Sequence, residues 1–325
     1  MATVPGGIFD TGNVSSGQGA DISSFLDKIG LSESSITQVT VSTTGTNTIS
    51  DTTPTSTFSV GSGQTVNVML SGSTGKTLIV TGSGNASIAG GSGSDSVLGG
   101  AGSDSIFGGI GDDQVRGGEG NDILYGGTGN DVVFGRQAAD GDGNNELEGN
   151  LGNDSIVGGT GNDTLRGGKD NDTVEGTAGN NSLYGGLGDD SMLGGTGNDT
   201  INANEGNDTL TAGSAVSAEL RGGKGNDSIV GGTGSDTLYS GMGSDTLTGG
   251  AGDDIFSFKG GDQAATITDF GTGNDKIEIA GYSFDQLTIF SNGAGNAVIS
   301  LPDGTSIELQ GVDAATLTAD FFLFS

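Results

Sequence analysis

The chain has 325 residues, including 68 glycines and only three prolines, and its 41 acidic residues against 10 basic ones give a net charge of −31. So few prolines exclude collagen, and the charge argues against nucleic acid or an anionic membrane surface as partner. Cysteine and histidine are both absent, which removes disulfides, thiolate or imidazole zinc sites and any serine–histidine triad.

With 31% hydrophobic residues, this balance ordinarily describes a disordered chain, so the chain needs cations to become compact. The N-terminus, MATVPGGIFDTG, lacks the basic start and apolar stretch of a cleavable signal peptide, so export is expected by another route. Residues 20–30, ADISSFLDKIG, read as one amphipathic helix. Asp21 caps it, Ile22, Phe25, Leu26 and Ile29 share a face, and Gly30 ends it. Residues 36–80 are rich in threonine, serine and valine and read as strands, forming an N-terminal β cap. No apolar run reaches the ~20 residues of a membrane span.

From Gly90 the chain repeats GGSGSDSVL, GGAGSDSIF, GGIGDDQVR, GGEGNDILY and GGTGNDVVF, a nine-residue pattern G-G-x-G-x-D-x-U-x with U large and apolar. It resumes at Gly149 and again at Gly222. Aspartate fills the sixth position at 95, 104, 113, 122, 131, 154, 163, 172, 190, 199, 208, 227, 236, 245 and 254. Glycines supply φ > 0 and let carbonyls converge on an ion, and aspartate is a hard oxygen ligand suited to Ca²⁺. The eighth positions form an inward ladder from Val97 to Phe256. Residues 135–148 and 212–221 are longer units that still end in a strand and keep the phase.

If successive repeats alternate edges, Asp95, Asp113, Asp131, Asp154, Asp172, Asp190, Asp208, Asp227 and Asp245 share one edge. Asp104, Asp122, Asp163, Asp199, Asp236 and Asp254 share the other, which is interrupted at Asn145, Asn181 and 212–221. The second edge is expected to hold calcium more weakly and to melt first. Stacked aspartates about 4.8 Å apart repel by roughly 3 kcal/mol at an effective dielectric of 20, so the repeats should be unfolded without calcium.

These nonapeptides resemble the RTX (repeats-in-toxin, hemolysin-type) family over residues 81–258. The resemblance implies an all-β fold, a right-handed parallel β-roll. Each six-residue turn would hold calcium, each three-residue strand would follow, and two repeats would make a coil. Its ligands would be Asp95, Asp104, Asp113, Asp122, Asp131, Asp154, Asp163, Asp172, Asp190, Asp199, Asp208, Asp227, Asp236, Asp245 and Asp254, with Asn145, Asn181 and backbone carbonyls of the glycine turns. The expected organisation is an N-terminal helix-plus-β cap over 1–80, the roll over 81–258, and a C-terminal β cap over 259–325. The final LTADFFLFS is similar to the uncleaved signal of family members exported by ABC-type (type I) machinery.

The expected function is a secreted calcium-binding structural protein of the cell surface or extracellular matrix, and not an enzyme. The alternative is a calcium-dependent adhesin that binds surface glycan, or that self-associates, through Phe107, Tyr125, Arg166, Tyr184, Arg221 and Tyr239 on one outer face. An ice-binding role, or a toxin or enzyme fragment, is weaker. The threonine–asparagine turns are discontinuous, and the family's proteases and lipases need histidine.

Overall fold

A residue pattern with one large apolar side chain in nine cannot build a layered core, but it can line a narrow coil if every such side chain points the same way. In the computed structural model that is what the chain does. The structure describes residues 38–40, 46–49, 55–70, 72–135, 143–214 and 216–325. The helix read over 20–30 lies outside the described residues, and among the described residues there is no α-helix, only short 3₁₀ turns.

The chain divides into two units, residues 1–172 and 173–325, and each is a parallel β-roll of two sheets. In the first unit one sheet takes the strands Gln38–Thr40, Thr55–Ser59, Thr77–Thr81, Ser96–Gly100, Gln114–Gly118, Val132–Phe134 and Ser155–Gly159. Each is parallel to the next. The intervening strands, from Thr46–Ile49 to Thr164–Lys169, make the second sheet. The coil thus starts before the nonapeptides, since Leu78 is registered on Val97 and Ile88 on Ile106.

In the second unit one sheet runs from Thr173–Ala178 through Ser191–Thr196, Thr209–Gly213, Ser228–Thr233 and Ser244–Ala251 to Ala264–Ile267. Ser306–Leu309 adds parallel to it, and Ala297–Ser300 and Thr288–Ser291 finish it antiparallel. The other sheet runs from Ser182–Leu187 through Lys276–Ala280 to the C-terminal strand Phe322–Phe324. The last residues therefore pair into the fold. Phe322 is buried, its ring lies 5.2 Å from that of Phe284, and Gly281 N–H donates to the Ser325 carbonyl.

The eighth-position ladder is buried throughout: Val97, Ile106, Val115, Leu124, Val133, Leu147, Ile156 and Leu165 in the first unit are fully covered. So are Val174, Leu183, Ile201, Leu210, Leu220, Ile229, Leu238, Leu247 and Phe256 in the second, with Met192 nearly so. A slip of one residue would expose the whole ladder, which pins the register. Both long units keep it. Leu124 sits beside Leu147 across the 135–148 insertion, and Ile201 beside Leu220 across 212–221.

The second residue of each nonapeptide needs positive φ, as at Gly118 (φ 113°). A Cβ there would lie 1.9 Å from the Gly100 carbonyl oxygen one coil earlier, so neither conformation nor space admits a side chain. Among the described residues three second positions lack glycine: Asn150, Thr177 and Asn204, with φ 84°, 82° and 81°. Asparagine tolerates that region, but a β-branched residue is strained in it. Thr177→Gly is expected to stabilise the calcium-loaded protein by about 1 kcal/mol. A chemical-denaturation midpoint that falls in this variant would refute the strain.

Candidate metal centre

The sixth position immediately precedes its strand, or at Asp245 lies at the start of it, so the coil stacks these residues at the sheet edge where the turns meet. In both units the aspartate Oδ1 accepts a backbone N–H from the corresponding residue one coil earlier. Asp113 takes that of Asp95 at 2.7 Å, Asp131 that of Asp113 at 2.8 Å, and Asp154 that of Asp131 at 2.7 Å. In the second unit Asp208 takes that of Asp190, Asp227 that of Asp208 and Asp245 that of Asp227, at 2.8, 2.9 and 3.0 Å. The other edges do the same, with Asp122 holding Asp104 in the first unit and Asp254 holding Asp236 in the second.

One carboxylate oxygen is thereby spent on the backbone. The other, Oδ2, is buried without a hydrogen-bond partner at Asp95, Asp104, Asp113, Asp131, Asp154, Asp208, Asp227, Asp236, Asp245 and Asp254. Asp122, Asp163, Asp172, Asp190 and Asp199 are equally buried in the same ladders. A buried carboxylate oxygen without a donor is costly unless a cation meets it.

The turn geometry shows where that cation belongs. A Cβ placed on Gly108, the first residue of its nonapeptide, would lie 2.6 Å from both Asp113 Oδ2 and the Gly126 carbonyl oxygen. At Gly222 the same point is 2.3 Å from Asp227 Oδ2 and 2.6 Å from the Ser240 carbonyl. At Gly185 it is 2.3 Å from Asp190 Oδ2 and 2.8 Å from the Ala203 carbonyl. The missing side chain leaves a cradle in which a carboxylate oxygen and a carbonyl oxygen of the next coil converge. Hard oxygens, one of them charged, fit calcium. Among the described residues no three acidic side chains gather as a metal cluster, so most of the ligation falls to carbonyls. Calcium, when bound, supplies divalent charge to the acidic stack.

Burial dominates the electrostatics. Desolvation pushes Asp113 up to about 7, against its backbone hydrogen bond, with the charges of Asp131 and Asp95 adding to the rise. Asp104, Asp154, Asp227 and Asp236 are likewise raised to about 7, and Asp95, Asp131 and Asp245 to about 6, all first by burial.

Asn145 and Asn181 join the ladders but do not present the oxygen expected of them. Asn145 Oδ1 accepts the Asp122 N–H at 2.9 Å. That leaves Nδ2 in the cradle, 2.5 Å from the Cβ point of Gly135. At Asn181, Nδ2 lies 2.6 Å from the Cβ point of Gly176 and donates to the Gly179 carbonyl. In the third irregular unit Ala218 holds the sixth place with no side-chain oxygen, its N–H donating to Asp236 Oδ1.

Two further sets of residues escape a reading centred on position six. Fifth positions form a second, exposed ladder of opposite sense: Asn153 N–H donates to Asn130 Oδ1, Asn171 to Asn153, Asn198 to Asn180 and Asn226 to Asn207. The signal was present as the recurring N-D pair. Asp275, in the divergent Gly271–Thr272–Gly273–Asn274–Asp275 turn, extends the ladder by accepting the Asp254 N–H at 3.1 Å. Its other oxygen accepts the Gly271 N–H, so it closes that edge without needing a cation.

The family profile described as RTX calcium-binding nonapeptide repeat (4 copies) matches residues 71–106, 80–115, 107–141, 140–174, 166–201, 184–215 and 220–262, together more than half of the chain. Among solved structures the chain is similar to the extracellular lipase LipA from Serratia marcescens, at 18% identity and a TM-score of 0.32. The match covers 69% of this chain and 45% of the lipase, so the chain spans less than half of that protein's length. No curated protein sequence matches.

Two measurements test the centre. Gly108 lacks a positive φ constraint, so Gly108→Ala should act by occupying its cradle, abolishing one calcium site in calorimetric titration and lowering stability by about 2 kcal/mol. Unchanged stoichiometry would refute the cradle. The raised aspartates predict a pH effect of definite sign. A folded-state value near 6 to 7 against 3.8 unfolded stabilises the metal-free roll below pH 3.8 and loses that contribution as pH rises through 6 to 7. Metal-stripped protein should therefore show more β-structure by circular dichroism at pH 5 than at pH 8, and its calcium midpoint should rise as pH falls. The opposite trend would mean that these carboxyls are not buried.

Proposed function

Because the chain belongs to the RTX calcium-binding nonapeptide repeat family, we propose that it is a secreted structural protein of the cell surface or extracellular matrix, made rigid by calcium after export. The observation that carries this reading is the stacked, buried Oδ2 atoms that face carbonyls. The regularly placed acids are committed to holding coils together, which leaves none of them for acid–base chemistry. With no histidine or cysteine in the sequence, the reading carries no enzymatic activity.

The same acidic stack suits passage through an ABC-type exporter. The chain stays unfolded where calcium is scarce and closes where it is abundant. In the folded chain the C-terminal Phe322–Phe324 strand buries Phe322 and leaves Leu323 and Phe324 exposed. Lateral assembly is supported by large apolar side chains exposed at strand ends, Ile110 and Leu151 in the first unit and Leu187 and Met242 in the second.

A glycan-binding adhesin is the second reading, and one observation favours it. Phe107 and Tyr125 stand side by side on an outer face, with ring centroids 6.3 Å apart and Phe107 exposed. Tyr239 is poorly placed for that role, since the Arg221 guanidinium lies 3.9 Å over its ring.

Electron microscopy of purified protein with calcium added and then chelated, alongside circular dichroism, tests the proposal. Ordered sheets or filaments that dissolve with loss of β-structure in chelator are expected. Monomers that persist in saturating calcium would sink the structural role, and an unchanged spectrum in chelator would sink the calcium-dependent fold.

A further inference from the structure

We propose that the protein carries built-in replacements for calcium at Lys76, Asn145 and Asn181, so that these positions hold their coils without metal. The inference rests on calcium occupying the aspartate rungs.

Lys76 stands in the sixth place of the coil that precedes Asp95, because Thr77 is registered on Ser96. It is 3% exposed. Its backbone N–H donates to Asp95 Oδ1 at 2.7 Å, and its ammonium donates to the Thr74 carbonyl at 3.1 Å. A permanent cation thus binds a turn carbonyl at the head of the first aspartate ladder, beside the first carboxylate.

The asparagines do the same work with an amide. Asn145 keeps the ladder bond, accepting from Asp122 and donating its own N–H to Asp163 Oδ1 at 2.8 Å. The atom that would be a charged Oδ2 in aspartate is an NH₂ group. It lies 2.5 Å from the Gly135 point, which is itself 2.0 Å from the Gly158 carbonyl oxygen. The bond from Asp122 fixes which end of the amide is oxygen. At Asn181 the NH₂ group donates to the Gly179 carbonyl at 3.3 Å, and the side chain also hydrogen-bonds to the Asp199 carboxylate. An amide NH₂ in the place of Oδ2 withdraws one ligand oxygen and turns protons toward the cation's position, so the rung neither needs a cation nor coordinates one.

The consequence reverses the order of melting expected from charge alone. An asparagine rung binds no calcium, but it contributes nothing to the repulsion that opens the coil in chelator. In each unit the coil around it is the part that survives longest without metal.

Native mass spectrometry in calcium and thermal unfolding in chelator separate the possibilities. Asn145→Asp, Asn181→Asp and Lys76→Asp should each bind at least one calcium more than wild type and unfold at lower temperature in chelator. Asn145→Ala should leave the calcium count unchanged while lowering the midpoint in chelator. A count that falls in Asn145→Ala would show that its oxygen was a ligand and overturn the proposal, as would an unchanged count in the aspartate variants. Wild-type protein that binds no calcium at all would instead overturn the underlying reading of the aspartate ladder.

Discussion

A carboxylate oxygen held inside the protein, opposite a backbone carbonyl and away from water, is an arrangement that two acceptors cannot sustain by themselves. Everything regular in this molecule follows from placing a cation between them. Glycine opens the turn, because a Cβ at Gly108 would occupy the point where Asp113 and the Gly126 carbonyl converge. A core of one large residue per repeat suffices, because the ions rather than the oily interior clamp successive coils. The acidity that would otherwise leave the chain unfolded becomes the binding capacity that folds it.

The two oxygens of each aspartate divide this labour. Oδ1 serves the backbone, fixing the coil before it, and Oδ2 serves the metal. Position five carries a parallel system that needs no ion, in which the asparagine oxygen serves the coil after it. Where the ladders stop, the chain finishes them with its own groups. Asp275 accepts two N–H groups, from Asp254 and Gly271. Asp269 accepts those of Gly249 and Gly250, and the ring of Phe270 lies against those of Phe256 and Phe321.

The sequence made the coil legible because its period coincides with a single structural requirement repeated without exception at position eight. The sixth-position aspartates were legible for the same reason. The beginning of the roll was less so. In Thr55–Ser59 and Thr77–Thr81 the strands lie in the same sheet as the nonapeptides, yet their turns lack the glycine–aspartate signature, and Lys76 in the aspartate place reads as a break. The asparagines misled in a subtler way. Aspartate and asparagine share an oxygen, but the direction in which Asn145 points it is decided by the Asp122 N–H, a contact set by stacking and invisible along the chain.

The opposed senses of the two ladders give the stack a grain. Each coil lends an acceptor forward at position five and backward at position six, so any two neighbours with the same turn are interchangeable. Most rungs are eighteen residues apart, and longer steps, such as twenty-three from Asp131 to Asp154, nineteen from Asp208 to Asp227 and twenty-one from Asp254 to Asp275, keep the bond. Eighteen residues is therefore the natural quantum for gain or loss of length. A duplicated or deleted coil re-creates the joints it interrupts, whereas removing nine residues would put each remaining strand in the wrong sheet.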